Sequence, residues 1–436
     1  MISAANVRLF QSIKFFAITI VFTLLALFSY HYYYSSNLSV NVADQRVIQR
    51  TANAVQSRLV SHKVSNHDEV PEYLTVKGLQ CNLPSYYTPD IVEHLDVLWK
   101  YLEGYAAFHN KGVRLLKDGQ SDRVRTLTWY CGLDFCSGLG WRFRGFMVNL
   151  IYAALTDRVL LLKWNKPSAE SVYLEPNMIS WQFSDYLLSG SFVDLGIFKR
   201  ADIANVTTSN HIIETLVGGT NHVQMLYNSV IRQDALLEIL AAKLSDQHKL
   251  KVITEFRGVL QNNGYEILQS FAFSFLFKLS NNLQTFASSI RNKLNLDKIK
   301  YVALHIRTGE VDNLRKAVKR FQEKDSMQLS AARCAIKQAD KYIGPNGIVV
   351  VVSDSTDVKR TLAKEFPRIR FLDNVIVHVD LVKDLSEDAM LGIWQDIILL
   401  AESYILVQQR SSFAELAANI CQIPESRIKS SSKCKL

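Results

Sequence analysis

Hydrophobic and polar positions change their period several times along this chain, and each change marks a predicted element. Residues 15–34 contain no Asp, Glu, Lys or Arg. A helix of that length spans about 30 Å, the thickness of a bilayer's hydrocarbon core, so we predict one transmembrane helix there. Ile48, Ala52, Val55 and Leu59 then recur at helical spacing and predict a short amphipathic helix.

From about residue 89 onward, short apolar runs alternate with stretches of helical period. Strands are predicted at 125–130, 158–164, 298–306, 347–352, 368–372 and 404–407. Helices are predicted at 88–109, 143–156, 327–342, 356–366, 386–403 and 412–420, and the central stretch 166–290 is predicted to be rich in helices. Such alternation is typical of parallel, doubly wound sheets. The two zones predict an α/β fold with two Rossmann-like domains facing a cleft.

The charges around the apolar segment predict how the chain is oriented. Arg8 and Lys14 precede it, no Asp or Glu does, and a cluster of tyrosines lies at its far end. The positive-inside rule then places residues 1–14 in the cytosol and everything after 35 on the other side. A cleaved signal peptide is the alternative, although the apolar stretch is longer than the usual hydrophobic region of one.

The chain is therefore predicted to have four parts after its cytosolic tail. A signal anchor at 15–34 is followed by a stem at 35–85 and by domains at 86–290 and 291–436. The stem either pairs with a second copy to form a homodimer or is a plain solvated spacer.

Composition narrows the class of protein. The 436 residues are 48% hydrophobic and 21% charged, with 18 Gly and 8 Pro, which excludes a disordered or low-complexity chain. A formal net charge of +9 and a pI near 9.1 favour an anionic partner, such as a sugar nucleotide, an acidic membrane surface or a nucleic acid. Lys and Arg form no long block, so nucleic acid is not an expected partner.

The six cysteines lie in an oxidising compartment if this orientation is correct. Cys131 and Cys136 are close enough to pair locally, whereas the spacing of the other four indicates no particular pairing. The sequence contains neither a paired C-x-x-C motif nor a Cys/His cluster, so a zinc site is not expected. N-x-S/T sequons occur at Asn37 and Asn205, and Asn205 is the better glycan candidate because Asn37 lies beside the membrane segment.

The first motif with chemical meaning is Ser137-Gly138-Leu139-Gly140-Trp141-Arg142, between a predicted strand and a predicted helix. Glycines let a backbone approach a ligand closely, and the helix N-terminus behind them favours an anion. The dinucleotide spacing G-x-G-x-x-G is not met, because the next glycine is Gly145. The alternative interpretation is a structural strand-to-helix turn.

The second motif is Leu304-His305-Ile306-Arg307-Thr308-Gly309-Glu310, at the carboxyl end of a predicted strand, where parallel sheets bind ligands. His305 and Arg307 share one face of the strand because strand side chains alternate. An Arg in that place can hold a diphosphate through two hydrogen bonds. The alternative is an Arg in a salt bridge at the strand end.

Two further motifs follow predicted strands. Val352-Ser353-Asp354-Ser355 offers the Asp354 carboxylate to a base or ribose, or as the cap of the next helix. Gln409-Arg410-Ser411-Ser412-Phe413 offers hydroxyls and free N–H groups, either as a phosphate site or as a simple Ser N-cap. The sequence contains no D-x-D, the short motif that a Mn²⁺-bridged diphosphate needs.

In this order, the glycine loop, H-x-R-x-G, S-D-S, Asp396 and S-S-F resemble the fucosyltransferase superfamily of α-1,2-, core α-1,6- and protein O-fucosyltransferases. Residues 137–164 are most similar to the plant xyloglucan α-1,2-fucosyltransferases, and Leu174-Glu175-Pro176 with Ser180-Trp181 is similar to their E-P…S-W segment. The resemblance covers roughly residues 86–425 and is weak at 185–290. One departure is Trp141, where the family usually has Asn.

The resemblance implies a GT-B-like pair of domains, with the acceptor side at 86–290 and the GDP-fucose side at 291–436. It implies inverting transfer without a metal, and the roles of several residues. Arg307 matches the Arg that grips the diphosphate, and His305 and Asp396 match contacts on the guanine side. The other expected donor-binding residues are Gly138, Gly140, Arg142, Asp354, Ser411, Ser412 and Phe413. Without a metal, cationic side chains and helix N-termini must neutralise the leaving GDP.

We therefore expect a single-pass type II Golgi enzyme with a lumenal catalytic domain, the ER being the alternative location. It is expected to transfer L-fucose from GDP-fucose to a glycan, with α-1,2 transfer to a terminal galactose as the expected linkage. An inverting displacement benefits from a base beside the acceptor hydroxyl, and Glu310 and Asp312 are the candidates. Two other functions stay open: a non-catalytic sugar- or nucleotide-binding protein of the same fold, and a transferase that uses another nucleotide sugar.

Overall fold

Alternating strands and helices build two parallel β-sheets in the computed structural model of this protein. The structure describes residues 75–82, 89–131, 138–164, 172–183, 193–198, 206–227, 233–261, 265–308, 317–373, 386–409 and 411–431. The predicted cytosolic tail and transmembrane helix, the stem up to residue 74, and both sequons at Asn37 and Asn205 lie outside these residues. All described residues belong to one unit, Asp68–Leu436. None of the helices in the described ranges is long and apolar enough to span a membrane.

Helices and strands are numbered separately in chain order. The helices are α1 (Pro89–Lys117), α2 (Leu139–Leu155), α3 (Val206–Val217), α4 (Gln233–Lys243), α5 (Gln247–Gln261), α6 (Tyr265–Leu276), α7 (Asn281–Lys293), α8 (Ala317–Tyr342), α9 (Thr356–Glu365), α10 (Glu387–Ala401) and α11 (Ser412–Ile420). The strands are β1 (Thr126–Cys131), β2 (Val159–Trp164), β3 (Leu174–Pro176), β4 (Val193–Phe198), β5 (His222–Tyr227), β6 (Phe277–Leu279), β7 (Val302–Ile306), β8 (Val349–Ser353), β9 (Ile369–Arg370), β10 (Ile405–Gln408) and β11 (Ile428–Ser430).

The first sheet has the strand order β2-β1-β5-β4, and its neighbouring strands are all parallel. Val159, Leu160 and Leu161 of β2 are completely buried. A parallel sheet is covered on both faces, which explains why this strand is apolar at successive positions. The predicted strand at 125–130 and helix at 143–156 are confirmed as β1 and α2. However, α2 begins at Leu139, so Gly140 lies in its first turn and not in a loop.

The second sheet has the order β11-β10-β7-β8-β9, again with parallel neighbours. The valine-rich strand β8 is buried along its whole length. Helix α11 has the bounds that the sequence predicts, and Ser411 caps it. The alternation of strands and helices therefore predicted four of the five strands and missed the edge strand β11. The strand order places β7 at the centre, between β10 and β8.

The central stretch contains helices, as predicted, and also strands β4 and β5 of the first sheet, which the sequence pattern did not show. One hydrophobic core extends from the first sheet to helices that cover the second. Phe143 of α2 lies at its middle, with ring centroids 5.2 Å from Phe273, 5.6 Å from Phe277 and 6.0 Å from Trp394 of α10.

Two arginines, Arg158 of the 137–164 segment and Arg125 just before β1, bind the end of α3. Arg158 is fully buried and donates hydrogen bonds to the backbone carbonyls of Leu216 and Thr215, at 2.9 and 3.1 Å. Arg125 also donates to the Leu216 carbonyl, at 2.8 Å. Burial lowers the pKa of Arg158 to about 9, and the charge of Arg125 adds to this effect. Both cations lie at the C-terminus of α3, where the helix dipole stabilises positive charge. Arg158 thus has a structural role.

Residues 75–82, which the sequence assigns to the stem, are bonded to the folded unit. Cys81 forms a disulfide with Cys421, just after α11. The backbone N–H of Gln80 donates to the Glu402 carboxylate at 2.8 Å, and the buried Arg291 pairs with the same oxygen at 2.7 Å. The disulfide was not predictable from spacing, and the predicted local pair cannot be assessed because Cys136 lies outside the described residues.

Candidate functional site

The candidate site lies at the carboxyl ends of β7, β8 and β10, the three neighbouring strands at the middle of the second sheet. Arg307 and Thr308 follow β7, Asp354 follows β8, and Gln409 follows β10. Since these strands are parallel, their carboxyl ends share one edge of the sheet, where loops are free to bind a ligand. The structure therefore brings together the second, third and fourth sequence motifs.

Asp354 joins two of these strand ends. Its Oδ1 atom accepts hydrogen bonds from the backbone N–H of Thr308 at 2.6 Å and from the Thr308 hydroxyl at 2.9 Å. The helix cap after β8 is instead Ser355, whose hydroxyl accepts from the N–H of Val358. Asp354 thus fixes the backbone that follows Arg307, a role that neither sequence interpretation named.

Gln409 joins β10 to the other side of the same backbone. Its Oε1 atom accepts from the N–H of Arg307 at 3.2 Å, and its own N–H donates to the carbonyl of His305 at 3.4 Å. Arg307 is half-buried. The segment that carries Arg307 is therefore hydrogen-bonded to both neighbouring strand ends, which holds the base of this long side chain in one place.

His305 is buried below this edge and is 5% exposed. Burial lowers its pKa to about 4; Asp354 opposes the shift and the positive charge of Arg307 adds to it. The imidazole is therefore neutral at neutral pH. Its Nδ1 atom has no hydrogen-bond partner among the described residues, and its ring centroid lies 6.1 Å from that of Phe413.

Phe413 belongs to the first turn of α11. The hydroxyl of Ser411 accepts from the N–H of Phe413 at 3.3 Å, so Ser411 is the N-cap that the sequence offered as one interpretation. The helix N-terminus places backbone N–H groups of positive partial charge beside the strand ends.

A second helix N-terminus abuts the first. Gly138 is the N-cap of α2, and a Cβ on Gly140 would lie only 2.2 Å from the carbonyl oxygen of Ser412. One turn further along each helix, Arg144 and Glu415 form an ion pair at 2.7 Å. The first and fourth sequence motifs are thus in direct contact, and two helix N-termini meet next to the edge that carries Arg307.

Arg142 and Trp141 of the glycine motif occupy different environments. Arg142 is 2% exposed, and its guanidinium lies over the ring of Trp164 with 4.9 Å to the centroid. Trp141 is 36% exposed, and the guanidinium of Arg144 lies 4.9 Å from the centroid of its ring.

Asp396 lies on α10, a helix that packs against β7 and β8. It attracts the buried Lys359 of α9, whose ammonium donates to the carbonyl of Leu372 at 2.9 Å. Burial lowers the pKa of Lys359, and the attraction by Asp396 opposes this effect. The Asp396 carboxylate therefore lies on a helix that covers the second sheet, where it attracts a buried cation.

Two of the predicted site residues, Glu310 and Asp312, lie outside the described residues, as do Ser137, Gly309 and Arg410 of the quoted motifs. Within the described ranges, no group of three or more His, Cys, Asp and Glu side chains is arranged to hold a metal ion. Sequence reasoning assigned no role to Thr308, although it lies within the second motif, and it missed Arg144. The signal for Arg144 was its place two residues after the glycine motif, as a further cation.

Comparison with known proteins identifies solved structures that resemble this chain in fold. No family model and no curated protein matches the chain. A mutant of FUT1 from Arabidopsis thaliana, solved in complex with GDP, aligns with this chain at a TM-score of 0.50 and 15% identity. The alignment covers 77% of this chain and 82% of the FUT1 chain. The fucosyltransferase NodZ from Bradyrhizobium matches 68% and 92%, with a TM-score of 0.38 and 15% identity. POFUT1 in complex with GDP matches 70% and 98%, with a TM-score of 0.38 and 11% identity.

The match to FUT1 shows that the chain shares the fold of that protein: a mixed α/β architecture with two parallel sheets.

Proposed function

We propose that this protein is a fucosyltransferase that transfers L-fucose from GDP-fucose to a glycan, with inversion at the anomeric carbon and without a metal. The observation that carries the proposal is the convergence of the second, third and fourth sequence motifs at one edge of the second sheet, with the first motif in contact with the fourth. The fold is shared with a protein solved with GDP. That edge is where α/β sheets bind nucleotides.

The diphosphate is assigned to Arg307 and to the abutting N-termini of α2 and α11. A guanidinium binds two phosphate oxygens at once, and helix N-termini bind anions through free N–H groups. As the glycosidic bond breaks, charge builds on GDP, so these contacts strengthen in the transition state. Ser411, Ser412, Gly138 and Gly140 supply the backbone of this site, and Arg142 supports it from the buried side of α2.

The guanosine part is assigned to the region of His305, Phe413, Asp354 and Asp396. The neutral His305 has an unpartnered Nδ1 for a hydrogen bond, and Asp396 offers a carboxylate to the N–H groups of guanine. Asp354 holds the backbone through Thr308, so its contribution to donor binding is positioning.

The acceptor side rests on the resemblance in sequence. We propose α-1,2 transfer to a terminal galactose, with Glu310 or Asp312 as general base. Both residues follow Thr308 within a few positions of the sequence, and a carboxylate is a suitable base for an acceptor hydroxyl.

We also propose a single-pass type II Golgi protein, anchored by residues 15–34 and able to dimerise through the stem, with the ER as the other location. The Cys81–Cys421 disulfide supports a lumenal site, because disulfides persist in oxidising compartments.

Release of nucleotide from GDP-fucose, GDP-mannose, UDP-galactose and UDP-N-acetylglucosamine tests the function with the full chain in detergent. The proposal expects turnover of GDP-fucose alone, unchanged by EDTA. Turnover of a different donor identifies another transferase. GDP binding without any turnover identifies a non-catalytic protein of the same fold.

A further inference from the structure

The exposed indole of Trp141 lies beside the proposed donor site but has no role in it so far. The chain has six tryptophans, and the other five are buried or partly buried. An aromatic ring that stays partly exposed next to a proposed binding site leaves apolar area that a ligand can cover.

A charged side chain packs against this ring. The Arg144 guanidinium lies 4.9 Å from the ring centroid, a cation–π distance, and Glu415 of α11 binds that guanidinium at 2.7 Å. The ring is therefore held against a charged pair that bridges α2 and α11. A platform held in advance loses little conformational entropy when a ligand binds.

The ring is also close to the proposed donor site. The backbone of Gly140 is in contact with Ser412, and Trp141 is the next residue. Since consecutive Cα atoms are about 3.8 Å apart, the Cα of Trp141 lies within about 8 Å of the Ser412 carbonyl oxygen. Trp141 belongs to the half of the molecule built on the first sheet, whereas Arg307, Asp354 and Gln409 belong to the second.

We propose that Trp141 is the stacking platform for a pyranose ring of the acceptor. One face of a pyranose carries mainly C–H groups, which pack on an indole, while its hydroxyls stay available for hydrogen bonds. This inference rests on the proposed function and adds to it an acceptor residue in the position where the resembling family usually has Asn.

The test measures binding separately from turnover. Saturation-transfer NMR is recorded on the full chain in detergent, with GDP present and with methyl β-D-galactopyranoside, methyl β-D-glucopyranoside, methyl β-D-xylopyranoside and methyl N-acetyl-β-D-glucosaminide as probes. We expect at least one probe to bind, with an apparent Kd about fivefold to tenfold higher in Trp141→Ala. Trp141→Tyr should recover most of the affinity. GDP affinity should not change.

Phe108→Ala is the matched control, because Phe108 is an equally exposed aromatic residue, at 39%, on α1. The inference is wrong if no probe binds the wild-type chain, if Trp141→Ala binds the probes normally, or if it weakens GDP binding and not pyranoside binding. Absence of GDP-fucose turnover with pyranoside binding intact would overturn the proposed function alone.

Discussion

Gly140 and Ser412 touch through their backbones: the N-terminus of α2 meets the N-terminus of α11 at a point where residue 140 has no room for a side chain. Each helix directs the positive end of its peptide dipoles and its unpaired N–H groups toward its own N-terminus. Their contact therefore concentrates positive potential from two helices at one place, next to the edge that carries Arg307.

Gly140→Ala should separate the two helices, because its Cβ would lie 2.2 Å from a backbone oxygen that cannot rotate away. We expect a loss of about 1–3 kcal/mol in the free energy of unfolding, as for other overpacked sites, and weaker GDP binding. Urea unfolding and titration with GDP measure both. Gly104→Ala is the control: its Cβ meets nothing within 4 Å in α1, so the substitution should stabilise the protein by up to about 1 kcal/mol. A Gly140→Ala protein with wild-type stability and affinity would contradict the contact.

Arg307→Ala should lower kcat/KM for GDP-fucose by about 10² to 10³, because it removes a cation that the transition state needs more than the ground state does. Arg307→Lys should recover only part, since a point charge cannot bind two oxygens in a fork. Steady-state rates of GDP release measure the effect, after an unchanged Tm shows that each variant is folded. Turnover within threefold of wild type would make Arg307 structural.

Glu402→Ala should be among the most destabilising single changes. Glu402 and Arg291 are buried together at 2.7 Å, and removing the carboxylate leaves a buried cation without its counter-charge, at a cost of about 3–5 kcal/mol. The double variant Glu402→Leu/Arg291→Met should recover much of that loss. Asp373→Ala, which breaks an exposed pair with Arg360, should change the urea midpoint very little. Equal losses of stability in Glu402→Ala and Asp373→Ala would show that burial does not make the Glu402–Arg291 pair more important than the exposed pair.

Stability should fall as the pH falls from about 6.5 to about 4, because two buried histidines take up protons only after unfolding. Burial lowers the pKa of His109 from 6.5 to about 4, although its ring is hydrogen-bonded to the Leu160 carbonyl, and burial lowers that of His305 similarly. When the pKa of a histidine is lower in the folded than in the unfolded protein, its contribution to the free energy of unfolding is complete above the unfolded-state pKa. The contribution is lost as the pH falls to the folded-state pKa, and here it is on the order of 3 kcal/mol for each residue.

His109→Gln should therefore flatten this slope. Urea unfolding at pH values from about 7.5 to 4.5 measures it, and the value at the highest pH separates the packing loss from the proton linkage. A variant with the same slope as wild type would show that His109 does not contribute.

Local sequence signals predicted the second sheet well. Helix α11 has its predicted bounds, because Ser411 is a strong N-cap after a short apolar strand. Strand β4 escaped prediction because its sequence, Val193–Phe198, contains Asp and Gly, which weaken the strand pattern. Helix α2 was predicted to begin later because glycines favour loops in general, whereas here Gly140 fits a helix that another helix abuts.

The candidate site could be predicted as a set of residues but not as a set of contacts. Sequence position placed Arg307 and Asp354 after strands, and parallel topology brings such positions together. The hydrogen bonds from Thr308 to Asp354 and the ion pair of Arg144 with Glu415 join segments far apart in the chain. Such pairs depend on the packing of whole elements, for which a local pattern carries no signal.

The Cys81–Cys421 disulfide has a consequence for biosynthesis. Its two cysteines are separated by 340 residues, so Cys81 leaves the ribosome long before its partner exists. At translation rates of about 5–20 residues per second, the delay is roughly 20 to 70 s. During that interval Cys131, Cys136 and Cys334 are synthesised before Cys421 is. Native pairing must therefore either wait for synthesis of nearly the whole chain or replace an earlier bond by thiol exchange.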